Sequence, residues 1–253
     1  MRKIFGIAHY TFIEILRNRI WYVLILFSGI LILSSLLLGS LSEEQKVRMV
    51  TDLGLASIEM IALLSTVFAG VTLVLEEMES RTLYLILTRP VARTVFILGR
   101  YMGLITIMTC AYLAMAGMHA SLLALIHAPI DRSYILALLF SWEKIVVITA
   151  VALMFSIFST STASAVTFTF FFWIMGHFST EILFMARKSS QPLLVALCNV
   201  FYFLLPNFQI MNIRDIPPEL FNPTWLWAAG GYGIFYSASC LCVTALLFRN
   251  KEF

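Results

Sequence analysis

Few residues in this chain could do chemistry, and each points to a different possibility. Glu59 is the only charge well inside the first three apolar runs. A carboxylate held in hydrocarbon marks a functional site by default. We read it foremost as a side chain near the outer third of its span, facing a dimer interior or water. An intramembrane polar site is the sharper alternative. His119, His127 and His177 lie in separate segments, and a metal or proton relay would need them to converge. Packing or interface roles are expected for each, and no metal site is assigned. In "GHFSTE", His177 and Ser179 are two apart on a helix and point away from each other. There is no Gly-x-Ser-x-Gly elbow and no paired-aspartate motif, so no catalytic residue is expected.

The charge is concentrated instead in "EEMESRTLYLILTRPVAR", residues 76–93. Glu76, Glu77 and Glu79 open it, Arg81, Arg89 and Arg93 follow, and Arg100 lies just beyond. The apolar "TLYLIL" sits between, and Pro90 stops that short helix. An acidic start, a greasy centre and a basic exit suit docking into a partner's groove, with the charges setting register. A merely solvated loop would not need six apolar residues between its charges.

The elements that position these residues are membrane helices. The 253 residues are 60% hydrophobic and 12% charged, where a soluble domain carries roughly 25% charge. This composition, with basic residues dispersed among apolar runs, marks an integral membrane protein and not a nucleic-acid binder. The expected architecture is all-α and polytopic, a single membrane domain over 1–253 with six spans at 20–41, 53–75, 101–126, 136–158, 163–184 and 225–248. The fourth and fifth come from one run, Ile145 to Thr180, with 36 consecutive uncharged residues. As a single helix it would reach about 54 Å against a core of about 30 Å. "STSTAS", 159–164, supplies the break, since Ser and Thr can satisfy the freed backbone groups. Glu143 and Lys144 fall in the outer half of span four and must snorkel or pair.

Residues 1–19 form an amphipathic helix, with Ile4, Ile7, Ala8, Phe12, Ile15 and Leu16 on one half and Arg2, Lys3, Glu14 and Arg17 on the other. It is expected to lie in the cytoplasmic interface. The apolar run starts too late, and runs too long, for a cleaved leader. With the N-terminus inside, ten Lys and Arg fall in cytoplasmic pieces and six in external loops, which places both termini in the cytoplasm. The largest external loop, 185–223, contains a 13-residue apolar stretch at 193–205 between Pro192 and Pro206. That length suits a re-entrant or interfacial helix. Cys110, Cys198, Cys240 and Cys242 read as small buried hydrophobes.

Glu77, Thr82, "PVAR" (90–93) and "GR" (99–100) together resemble the permease subunits of type-2 ABC exporters. They are most similar to the six-span permeases found beside nitrous-oxide-reductase maturation genes. Arg81 stands where many members have Gly, and Arg100 where many have Lys. "MFSIFSTSTASA" (154–165), "IMGH" (174–177), "LLPNFQIMN" (204–212) and the closing "FRNKEF" extend the resemblance along essentially the whole chain. The resemblance implies two permease copies, or a copy and a homologue, each docked to a cytosolic ATPase in the inner membrane of a prokaryote. It makes 76–100 the coupling loop, with Glu76, Glu77, Glu79, Arg81, Thr82, Pro90, Arg93 and Arg100 serving coupling. ATP and Mg belong on the partner, because this chain has no Gly-x-x-x-x-Gly-Lys-(Ser/Thr) loop and binds no cofactor of its own. The alternatives are an ion-coupled secondary transporter, which would call for internal repeats and buried charges, and, further off, an intramembrane enzyme.

Overall fold

The computed structural model describes residues 2–17, 20–39, 45–79, 92–214 and 222–250. All regular structure there is helical: α1 (Arg2–Leu16), α2 (Ile20–Gly39), α3 (Lys46–Glu79), α4 (Arg93–Leu125), α5 (Arg132–Phe158), α6 (Thr162–His177), α7 (Ser179–Lys188), α8 (Pro192–Leu204), a 3-10 turn (Phe208–Met211) and α9 (Pro223–Asn250). Among the described residues, four stretches are long and apolar enough to cross a membrane, namely Lys46–Leu73, Arg93–Leu125, Arg132–Phe158 and Thr224–Arg249. The bent pair α6–α7 makes a fifth if it counts as one span. Span one of the sequence reading falls on the 20-residue α2.

The core lies where α3 and α5 pack together, with α2, α4, α6 and α9 around them. Small residues allow the close approach. A Cβ at Gly70 of α3 would stand 3.2 Å from the Cβ of Ala152 on α5, the small-on-small contact that membrane helices rely on when lipid is as apolar as leucine. Three hydroxyls inside the core are satisfied within their own helices. Ser65 donates to Ile61 O and Thr149 to Ile145 O, both at 2.7 Å, and Thr244 to Cys240 O at 2.6 Å.

The break expected at 159–164 is present. α5 ends at Phe158, and Ser161 caps α6 by accepting from the Ser164 amide at 3.3 Å. The span expected at 163–184 is not straight, because it bends by 64° between α6 and α7. Tertiary contacts drive the bend. Gly176 lies against Pro206 O and the Phe208 ring, and Gln209 Nε2 donates to His177 O at 2.7 Å, taking up a carbonyl freed at the end of α6. The apolar 193–205 stretch is α8, which starts on Pro192 and buries none of its residues.

α1 packs along α4, so its apolar arc faces another helix. Its seat is a pair of glycines one turn apart. A Cβ at Gly99 would lie 2.7 Å from the Cβ of Ile7, and one at Gly103 2.6 Å from the Cβ of Thr11. Glu14, assigned to the polar face, turns to Arg100 of α4.

Candidate functional site

Two places gather polar groups from distant parts of the chain. The first surrounds Glu59, which is buried in the middle of α3. Ser141 and Lys144 lie three residues apart on α5, so they share a face. His177 closes α6, and Arg214 follows the 3-10 turn. Lys144 Nζ donates to Glu59 Oε1 at 2.9 Å, and Arg214 donates to Oε2 at 2.7 Å. Ser141 Oγ donates to Oε2 at 3.1 Å and receives Arg214 at 3.3 Å. His177 Nδ1 is 2.9 Å from Trp173 O. A carbonyl only accepts, so this nitrogen is assigned the proton. Nε2 then faces Lys144 Nζ at 3.5 Å and lies 4.0 Å from Glu59 Oε1.

Each carboxylate oxygen thus has its own cation, and two cations share one anion. Burying a single charge in a membrane is costly, and mutual pairing is what makes the group tolerable there. Glu59, read foremost as facing a dimer interior or water, sits within the chain in an ionic cluster. Lys144 was expected to snorkel or pair, and it pairs. Its neighbour Glu143 turns the other way, against Gly233 of α9.

The histidines serve separate places. Buried His119 bridges Tyr134 Oη at 3.0 Å and Val50 O at 3.3 Å, over Gly54. His127 turns the chain after α4 with φ 54°. His177 alone joins the cluster. Ser179 donates to Asn207 Oδ1 at 2.7 Å and makes no pair with His177.

The second place is the end of the bundle where α1, the start of α4 and the end of α9 meet. Arg100 is 1% exposed; it donates to Glu14 at 2.7 Å and to Thr11 Oγ1 at 3.0 Å, and stacks over Tyr10 and Phe96. Arg93 Nη1 donates to Phe248 O and Arg249 O, each at 2.8 Å. Those are carbonyls that the last turn of α9 cannot satisfy internally, and a cation there suits the helix dipole. Both arginines therefore work within the chain. α3 runs through Glu76, Glu77 and Glu79. Their side chains lie outside the described residues, as do Arg81, Thr82 and Pro90 altogether. Replacing Arg93 by alanine is expected to weaken the last turn of α9 by about 1.5–3 kcal/mol, the usual worth of hydrogen bonds to a charged group. Hydrogen exchange over 244–250 would show it as faster exchange confined to that turn.

Of this geometry the sequence exposed only Glu59 and the need of Lys144 for a partner. Ser141 and Arg214 carry no local signal, and the sequence alone gives His177 a packing or interface role.

The described residues form a multi-pass helical bundle with a buried ionic cluster at its centre. The family model described as ABC-2 family transporter protein matches residues 7–214. The chain belongs to that family. No curated protein matches it.

Proposed function

We propose that this chain is the permease subunit of an ATP-driven exporter. It pairs with a second copy or a homologue in a prokaryotic inner membrane, with both termini in the cytoplasm and six crossings, α2 being the first. Each permease docks a cytosolic ATPase that carries ATP and Mg. The family membership supports a membrane permease, and the motifs of 76–100 point nearest to the permeases found beside nitrous-oxide-reductase maturation genes.

One observation carries the coupling reading. The helix that leaves the charged stretch is strapped to two others within its first two turns, α9 through Arg93 and α1 through Arg100. A push on 76–91 would therefore move α1, α4 and α9 as one lever, and α4 packs directly on the core. Glu77, Glu79, Arg81, Thr82 and Pro90 would meet the ATPase, and Arg93 and Arg100 would carry the load inward.

The test is purification of the tagged chain in mild detergent, followed by mass spectrometry and an ATPase assay. A soluble ATPase should co-purify with the parent and be lost on Glu77→Lys. A clean solitary chain, with no ATPase activity, would refute the reading. The Glu59–Lys144–His177 cluster favours one alternative, an ion-coupled secondary transporter. That reading requires transport driven by an ion gradient without ATP.

A further inference from the structure

The chain between α8 and residue 214 folds back into the bundle. Leu205, Phe208, Met211 and Ile213 are each at most 2% exposed. The segment packs against α5, α6, α7 and α9 and reaches Glu59 of α3, and it is tied to these helices by bonds of two kinds. The neutral ones are Asn207 N to Tyr232 Oη at 2.7 Å, Tyr236 Oη to Leu204 O at 2.8 Å, Ser179 Oγ to Asn207 Oδ1 at 2.7 Å and Gln209 Nε2 to His177 O at 2.7 Å. The ionic tie is Arg214 to Glu59 at 2.7 Å.

Arg214 differs from the other cation of the cluster. Its side chain is 21% exposed against 5% for Lys144. It also lines a cavity of about 250 Å³ together with Arg48, Asp52, Asp131 and Tyr134. Two carboxylates line the open side, Asp131 and Asp52, and Asp52 already lies 3.7 Å from Arg48. If Arg214 turned to them, Glu59 and Lys144 would remain as a balanced buried pair, so no bare charge would be left in the membrane. Withdrawing Lys144 instead would strand a buried charge. The cluster has one fixed cation and one detachable cation.

We propose that residues 205–214 are a plug in the end of the bundle that carries the α4–α5 turn, and that Arg214 is its ionic latch. It is held by Glu59 when the plug is seated and by Asp131 and Asp52 when it is released. Release opens the space among α5, α6, α7 and α9 for outward passage of cargo, a role that rests on the exporter reading.

The experiment places a cysteine at Met211, with Cys110, Cys198, Cys240 and Cys242 replaced, and follows labelling by a membrane-impermeant maleimide in native membranes. The parent should label slowly. Arg214→Gln and Glu59→Gln should each raise the rate about tenfold or more, as expected for loss of a charge-assisted hydrogen bond. The double variant should label no faster than either single one, because both remove one contact. Arg214→Lys should restore slow labelling in part. Should Glu59→Gln not accumulate, the half-open position of Arg214 lets that variant decide alone. Equal rates in parent and Arg214→Gln would overturn the latch. So would faster labelling of a control cysteine at Ile148, since it would mean general loosening. Labelling needs neither ATP nor a partner: a plug that opens in a chain with no ATPase would keep the latch and discard the exporter.

Discussion

Replacing Glu59 by leucine is expected to destabilise the folded protein by about 3–5 kcal/mol, the cost of leaving buried charge without its partner. The carboxylate now neutralises both Lys144 and Arg214 at hydrogen-bonding distance. Without it, Arg214 can turn toward the open cavity, but Lys144 is 5% exposed and, among the described residues, keeps His177 as its one polar neighbour. Most of the loss should therefore come from Lys144. It follows that Glu59→Leu combined with Lys144→Met should recover most of the stability, because a buried ion pair replaced by apolar side chains of similar volume is often neutral. Thermal unfolding of the purified protein in detergent measures both variants. A double variant no better than the single one would show that Lys144 is not the stranded charge, and that Arg214 and Ser141 bear the cost.

The second large effect belongs to Gly103. A leucine there should detach α1 from α4. A Cβ at this position would stand 2.6 Å from the Cβ of Thr11 and 2.7 Å from the carbonyl of Ala8. One of those neighbours is backbone and cannot rotate aside, so α1 itself must move. Overpacking of this kind costs about 1–3 kcal/mol. The movement would also pull Glu14 and Thr11 from Arg100, which is 1% exposed. Hydrogen exchange should then be faster throughout α1, while α5 keeps its protection. Unchanged protection of α1 would mean that its seat does not depend on the glycine pair. Under the coupling reading the same variant should leave the ATPase bound and lower transport, because the lever loses one arm.

Much of the architecture was legible in the sequence, for a simple reason. A helix that crosses a membrane must be apolar over roughly 20 residues, and that requirement is written in composition alone. Class, approximate helix positions and the break at 159–164 follow from it. Ser161 even supplies the capping side chain that a turn at that point needs. The bend between α6 and α7 was not legible. Residues 163–184 carry no Asp, Glu, Lys or Arg before Glu181, and the charge pattern does not distinguish a straight helix from a bent one. The bend is set by Phe208 and Gln209, which reach α6 from a segment some thirty residues further on.

The charged residues divide in the same way. That Glu59 and Lys144 need partners could be read from the sequence, since isolated charges in hydrocarbon are expensive. That they partner each other, 85 residues apart, with Arg214 reaching in from 155 residues away, is a product of packing. Likewise the amphipathic pattern of 1–19 announced a helix with one greasy side, but whether that side meets lipid or another helix depends on what lies opposite. Gly99 and Gly103 provide a groove in α4, and the side chains of α1 fill it. The sequence by itself thus determined that this protein is a bundle of membrane helices with its charge concentrated at 76–93, because solvation in lipid acts on each segment separately. Which charges meet, which face α1 buries and where 205–214 lodges were decided only by the tertiary structure, because pairing and close packing depend on two segments at once.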